Sequence, residues 1–388
     1  MICFPRAWRR TPLALLAIWL SACSSTTNDP LPADTGAAAD ETAAASTYAM
    51  EDFTRLRKFD AHVHANSTDR ALLEQAEADG FEVLSINVDY PAFPPVPEQH
   101  AAALTLAEAD PDRFHWAATF TMQGYGTPAW SARIGSELAQ AVGQGAKAVK
   151  VWKNIGMVER DADGRLLRID DPGLAPLAEH VQALGVPLIV HQGEPHNCWL
   201  PLEQMTTEND RQYFANHPEY HMYLQPEMPG YEELMAARDR FLAAHPQLPV
   251  VGAHLASLEW DVERLAAFLD RFPTATVDLA ARMAQVQHQS VRDHERVRDF
   301  FIRYQDRLLY GTDLTQGPDA DPAEFRAQAA EVWRSDWRYL ATGETQRIDT
   351  IDADVPGLAL PREVIDRIYW SNAARVFGLA DAAAAAAD

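Results

Sequence analysis

The chain has 388 residues and a formal charge of -23, with 47 % of its residues apolar. That length suits one catalytic domain with extended loops, and so acidic a surface excludes nucleic acid as a partner. Of the cysteines, Cys3 and Cys23 lie near the start and Cys198 stands alone in the body, so no structural disulfide is expected and Cys198 reads as a buried thiol.

The first residues read as an address. Arg6, Arg9 and Arg10 precede a short apolar run from Leu13 to Leu20, too short to span a bilayer. The run ends in Leu20-Ser21-Ala22-Cys23, which resembles the lipobox of bacterial lipoproteins. That resemblance implies a signal peptide over 1–22 and a lipidated Cys23 that anchors the chain to a membrane. Ser24 in the next position implies an outer-membrane address facing the periplasm, and an ordinary secretory signal is the alternative. Residues 23–50 read as a disordered tether, because Ser24 to Ala45 contain almost nothing able to fill a core. The barrel is expected over 51–380, with a disordered Ala-rich tail over 381–388.

Short apolar runs then alternate with longer amphipathic ones, the pattern of parallel strands joined by crossover helices. Eight strands are expected: Arg57 to His64, Glu82 to Val88, Phe114 to Thr121, Ala146 to Trp152, Val186 to His191, Pro249 to His254, Thr274 to Leu279 and Arg307 to Thr312. Helices fit between them, among them Asp69 to Asp79, Ser131 to Gly143, Gly173 to Leu184, Tyr231 to His245, Glu259 to Phe272 and Val291 to Tyr304, and a last one opens at Pro361 and runs to Phe377. The fold class is α/β, a (β/α)8 TIM barrel in a single catalytic domain. Two connections exceed what the scaffold needs, Gln192 to Gly230 and Leu314 to Leu360. The first is rich in aromatics and suits a substrate lid or a contact in a homo-oligomer equally well.

Candidate chemistry collects where strands end. In Phe59-Asp60-Ala61-His62-Val63-His64 alternation puts His62 and His64 on one side and Ala61 and Val63 against the helices. Imidazole is the commonest ligand for zinc-like metals, so a pair on one strand is a preorganised half-site. His191 and His254 stand where the fifth and sixth apolar strands run out, and Asp313 follows the eighth after the close-packing Gly311. Asp313 suits an anionic ligand and proton carrier, and equally an N-cap. Val149 and Val151 should face the helices, which turns Lys150 and Trp152 inward. Trp152, Lys153, Glu194, His196, Asp278 and Arg282 are candidates for substrate binding, Arg282 for a bidentate grip on a carboxylate.

In this order of ligands the chain resembles the amidohydrolase superfamily, with His-x-His on strand one, His on strands five and six and Asp on strand eight. The segments Gly145 to Asn154, Gly252 to Leu255, Tyr304 to Asp313 and Asn372 to Gly378 look like its amidohydrolase-related branch. The resemblance implies a divalent metal, zinc first, as one or two ions held by His62, His64, His191, His254 and Asp313. It implies that Lys150, with Lys153 as the alternative, becomes a carbamate bridging two metals, or else stays a cation for an anionic substrate. Activated by the metal, a water attacks while Asp313 takes and returns its proton; in mononuclear relatives His254 acts instead as acid or electrophile.

The expected function is metal-dependent hydrolysis of a small-molecule ester, lactone, amide or related bond. A metal-dependent decarboxylase of the same superfamily is the alternative, and a non-catalytic metal- or solute-binding lipoprotein the second.

Overall fold

The apolar runs fold as parallel strands. The computed structural model describes residues 47–379, so the expectations for the signal peptide, Cys23, most of the tether and the tail lie outside the described residues. The strands are β1 Lys58–Ala65, β2 Phe81–Ile86, β3 Phe114–Ala118, β4 Ala148–Val151, β5 Leu188–Val190, β6 Val250–Gly252, β7 Ala275–Asp278, β8 Leu308–Leu309 and β9 Leu314–Gln316. They form one curled sheet in the order β8-β7-β6-β5-β4-β3-β2-β1-β9, all pairs parallel. Parallel pairing needs crossovers, and amphipathic helices such as Ala71–Asp79, Pro128–Gly143, Ala175–Leu184, Tyr231–Ala244 and Val262–Arg271 supply them. Among the described residues no helix is long and apolar enough to cross a membrane.

Side chains alternate between two clusters. Phe59, Leu84, Ile86, Ala117, Ala148, Ile189, Val251 and Leu309 pack together on one face. Val63, Val83, Trp116, Val149, Val151, Val190 and Val277 pack on the other, with helix residues such as Leu72, Leu138, Leu177 and Leu265. Both clusters are almost wholly dehydrated, and area removed from water is what holds strands as short as these in place.

Two local departures from regular structure set up the site. First, the pairing of β1 with β2 shifts register between Asp60 and Val63, the mark of a bulge. Ala61, expected against the helices, therefore packs on the inner face with Phe59. After the bulge the alternation resumes with Val63 outward, as expected. Second, the eighth strand is broken. β8 pairs with β7 and β9 with β1, while Ala61 N donates to Tyr310 O at 2.8 Å and Asp313 N to His62 O at 2.7 Å. One stretch of chain thus borders both ends of the sheet.

The long connection after the eighth strand holds structure that its composition did not announce. It contains the helix Pro322–Ala341, started by Asp321, whose side chain accepts from Ala323 N and Glu324 N, and the antiparallel pair Thr345–Ile348 and Ala353–Pro356. Trp333 on this helix stacks on Phe81 with centroids 4.4 Å apart, covering the sheet from outside. The helix expected over Val291 to Tyr304 forms as His294–Arg303, capped by Asp293, which accepts from Arg296 N, and a further helix, Met283–Arg292, precedes it.

Past β6 the backbone makes one left-handed turn: His254, Leu255, Ala256 and Ser257 have φ between 55° and 58°. Each such residue costs about 1–3 kcal/mol, so the surroundings must enforce it. Gly252 is what makes room, since a Cβ there would stand 2.6 Å from Ala256 Cβ and 3.1 Å from Ala256 Cα. Gly252→Ala is expected to lower stability by about 1–3 kcal/mol through this overlap; an unfolding midpoint equal to that of the parent would refute the packing account.

Candidate metal centre

His62, His64 and His254 are each buried and each bonded outward through Nδ1. His62 Nδ1 lies 2.9 Å from Asp278 Oδ2, His64 Nδ1 is 2.6 Å from the Ile86 carbonyl, and His254 Nδ1 is 2.9 Å from the Ala280 carbonyl. Carboxylates and carbonyls only accept, so these contacts put the proton on Nδ1 and leave Nε2 as a lone pair. Burial, first of all, lowers the pKa of His62 and His254, which favours neutral rings.

The lone pairs turn toward Asp313. His64 Nε2 stands 3.1 Å and His62 Nε2 3.5 Å from Asp313 Oδ1. Lone pairs facing a carboxylate repel unless a cation lies among them. His62 Nε2 and His191 Nε2 are also buried without a hydrogen-bond partner, a costly state for a nitrogen that metal coordination would relieve. Ligand atoms of His62, His64 and Asp313 all fall within 4.8 Å of one another. These residues fit a divalent ion.

His254 and His191 extend the cluster. Ring centroids are 4.8 Å apart for His62 and His254 and 4.2 Å for His254 and His191. The left-handed conformation of His254 re-aims its ring off the end of β6, and Asp313, at φ 69°, is held in the same region. Gly311 lets the eighth strand approach, because a Cβ there would lie 3.1 Å from His62 Cβ. Burial and the neighbouring His254 and Lys150 hold His191 well below its ordinary pKa.

Asp278, expected to touch substrate, is turned to a different task. Its Oδ2 accepts from His62 while Oδ1 accepts from His254 N at 2.7 Å and Ala280 N at 3.2 Å. Both oxygens are occupied by protein donors and the residue is 1 % exposed, so it holds the His62 imidazole and the backbone at His254 and Ala280. A second grouping of His62, His254 and Asp278 is also compact, but it would require Asp278 to abandon those donors.

Lys150 is fully buried with no partner for Nζ, and burial pushes its pKa down to about 8, against the pull of Asp278 and Asp313. Lys153 is instead ion-paired with Glu194. Trp152 is half-buried, its ring 4.7 Å from Tyr90, while Phe93 sits 5.1 Å from the His64 ring. Tyr90 and Phe93 were not singled out in the sequence, although the Asp89 to Pro95 turn leaves the same end of the sheet as the histidines. Arg282 is 6 % exposed, bonds Ala281 O at 3.0 Å through Nη1 and has no partner at Nε. His196 does not join the cluster: its ring stacks on Trp260 at 4.4 Å and meets Tyr231 at 4.8 Å. Cys198 is buried in the small core of the Gln192 to Gly230 connection with Met205, Phe214 and Met222.

The sequence model of the amidohydrolase family matches residues 32–379. No sequence among the curated proteins matches the chain. Among solved structures, 2,6-dihydroxybenzoate decarboxylase from Rhizobium is 17 % identical, with 83 % of this chain and 99 % of that one covered and a TM-score of 0.49. The complex of a 2,6-dihydroxybenzoate decarboxylase with 2,6-dihydroxybenzoate gives 17 % identity, the same coverage and a TM-score of 0.50. A probable 2-pyrone-4,6-dicarboxylic acid hydrolase from Acinetobacter baumannii, with citric acid bound, is 13 % identical over 83 % of this chain and 100 % of that one, with a TM-score of 0.46. At 17 % identity and a TM-score of 0.50, the likeness to the 2,6-dihydroxybenzoate complex is one of fold.

Burial of Lys150 makes the stability of the chelator-treated chain depend on pH. Its folded pKa of about 8 lies below the ordinary 10.5, so between these values the unfolded chain holds a proton that the native one has released, and stability rises with pH. Lys150→Met removes this dependence. Its stability advantage over the parent should be largest below pH 8 and shrink, on the order of 3 kcal/mol, by pH 10.5. Parallel urea titrations read the difference; an advantage independent of pH would contradict it.

Proposed function

Because the chain belongs to the amidohydrolase family, we propose that it is a divalent-metal-dependent hydrolase acting on a small ester, lactone, amide or related bond. The observation that carries this reading is the convergence of His62 Nε2 and His64 Nε2 on Asp313 Oδ1 at 3.5 and 3.1 Å. In it the strand split into β8 and β9 closes the sheet as the eighth stave of a (β/α)8 barrel, and the histidines stand at the C-terminal rim.

His62, His64 and Asp313 would hold the ion, with His254 and His191 beside them and Lys150 available as a carbamate if a second ion binds. Zinc suits a nitrogen-rich donor set of this kind. A divalent ion supplies a Lewis acid that acidifies water and polarises the bond under attack. Asp313 accepts the proton released by the attacking water and returns it to the leaving group. His254, held neutral with its Nδ1 proton donated to Ala280 O, presents its Nε2 to the site as an acceptor and not as a donor. Arg282 points its unpartnered Nε at an anionic group of the substrate, and Lys153 with Glu194 bounds the opening. Phe93, Tyr90 and Trp152 form an apolar wall beside His64 that keeps bulk water from the reacting atoms.

A second reading, metal-dependent decarboxylation, draws support from that aromatic wall together with a buried arginine, a combination that suits a flat ring bearing a carboxylate. Export as a lipid-anchored protein belongs to the same proposal and rests on the sequence from Arg6 through Cys23.

Turnover of an ester, lactone and amide panel should vanish on chelation and return with a divalent metal. Asp313→Asn should lower kcat by roughly 10²–10⁴-fold in a folded chain. Metal-independent turnover, or an active Asp313→Asn chain, would sink the mechanism. Release of CO2 from an aromatic carboxylate, with the whole panel silent, would favour the second reading.

A further inference from the structure

Asp60 lies two residues before His62 and is 0 % exposed, yet its carboxylate is turned from the imidazoles. Its Oδ1 accepts from His62 N at 3.2 Å and from Thr312 N at 3.1 Å. Its Oδ2 accepts from Thr312 Oγ1 at 2.6 Å and from Trp333 Nε1 at 2.9 Å. The Thr312 hydroxyl oxygen in turn accepts from Leu314 N at 3.2 Å, where β9 begins. One side chain therefore grips the β1 bulge, the break in the eighth strand and the helix Pro322–Ala341.

None of the four donors is a cation. A carboxylate buried in this way gives up its hydration without the return of an ion pair, and an apolar residue of similar volume would fill the space at less expense in free energy. What an apolar residue could not supply is direction. The donors on β1 and on the eighth strand are the backbone amides of a candidate ligand, His62, and of Thr312, immediately before Asp313. Each segment is irregular there, one by a bulge and the other by the positive φ of Asp313. The main-chain bonds Ala61 N to Tyr310 O and Asp313 N to His62 O join the segments, and the amides of His62 and Thr312 between them donate to Asp60.

We infer that Asp60 is a positioning residue: it locks the two irregular segments together and thereby sets the spacing between the His62 and His64 imidazoles and the Asp313 carboxylate, and so the affinity for the metal. This rests on the reading of those three residues as ligands. Asp60→Asn keeps the shape but presents an NH2 group to donors that the carboxylate accepts. Thr312→Val keeps the carboxylate and removes its shortest bond.

The test uses the full chain, stripped with chelator and titrated with Co2+, following the visible absorption of the bound ion and, separately, the unfolding midpoint of the metal-free chain. The parent should bind and His64→Ala should not. Asp60→Asn should bind about 10–100-fold more weakly with an altered absorption band, and Thr312→Val should fall between. Wild-type affinity and spectrum in both variants, even with a lowered midpoint, would overturn the positioning role and leave Asp60 a packing residue. Should Asp60→Asn fail to fold, Thr312→Val decides by the same criterion. A parent that binds no Co2+, or a His64→Ala chain that binds as the parent does, overturns the ligand reading, and this inference with it.

Discussion

Each of three buried imidazoles is committed by an outward hydrogen bond from Nδ1, and the rest of the site depends on that arrangement. Asp278 takes His62, while the carbonyls of Ile86 and Ala280 take His64 and His254. With those protons fixed on Nδ1, each Nε2 is left as a lone pair, and those of His62 and His64 stand 3.5 and 3.1 Å from the Asp313 carboxylate. Outer partners of this sort fix ring orientation and raise ligand basicity. A protein interior with no such purpose would not concentrate unprotonated nitrogens around an acid, because each buried polar atom left without a partner costs about 1–3 kcal/mol.

The fold is bent to serve this geometry. A bulge in β1, a break in the eighth strand and a left-handed turn after β6 all occur within the few residues that carry candidate ligands. Small side chains make these departures tolerable: Gly252 admits the turn and Gly311 lets the eighth strand touch His62. Strain at such places is stored by the packing of the surrounding sheet, which is why the site stands on strand ends and not on free loops. Rigidity of the ligands and adaptability of the rim are thus divided between different parts of the chain, the rim being furnished by Tyr90, Phe93, Trp152 and the ion pair of Lys153 with Glu194.

Much of this could be read from the residues in order. Apolar runs located β1 to β8, and strand-end histidines with Asp313 located the cluster, because burial and alternation leave a direct imprint on sequence. Local chemistry without a period left none. Alternation put Ala61 outward because a bulge has no fixed residue signature, and the eighth strand seemed to stop at Thr312 because its second half follows the strained Asp313. Asp278 looked like a substrate contact since sequence shows a carboxylate but not which donors saturate it. His196 looked like a rim residue, whereas stacking on Trp260, some sixty positions on, decides where its ring lies. The helix Pro322–Ala341 was obscured by the length of the connection that contains it.

The central claim is that one cation sits among His62, His64 and Asp313. Crystals of the metal-replete chain, with anomalous scattering recorded on both sides of the metal absorption edge, address it most directly. The account predicts an anomalous peak at coordination distance, about 2.0–2.3 Å, from His62 Nε2, His64 Nε2 and an Asp313 oxygen. A peak bound elsewhere, or these three side chains closing on one another around water alone, would contradict it.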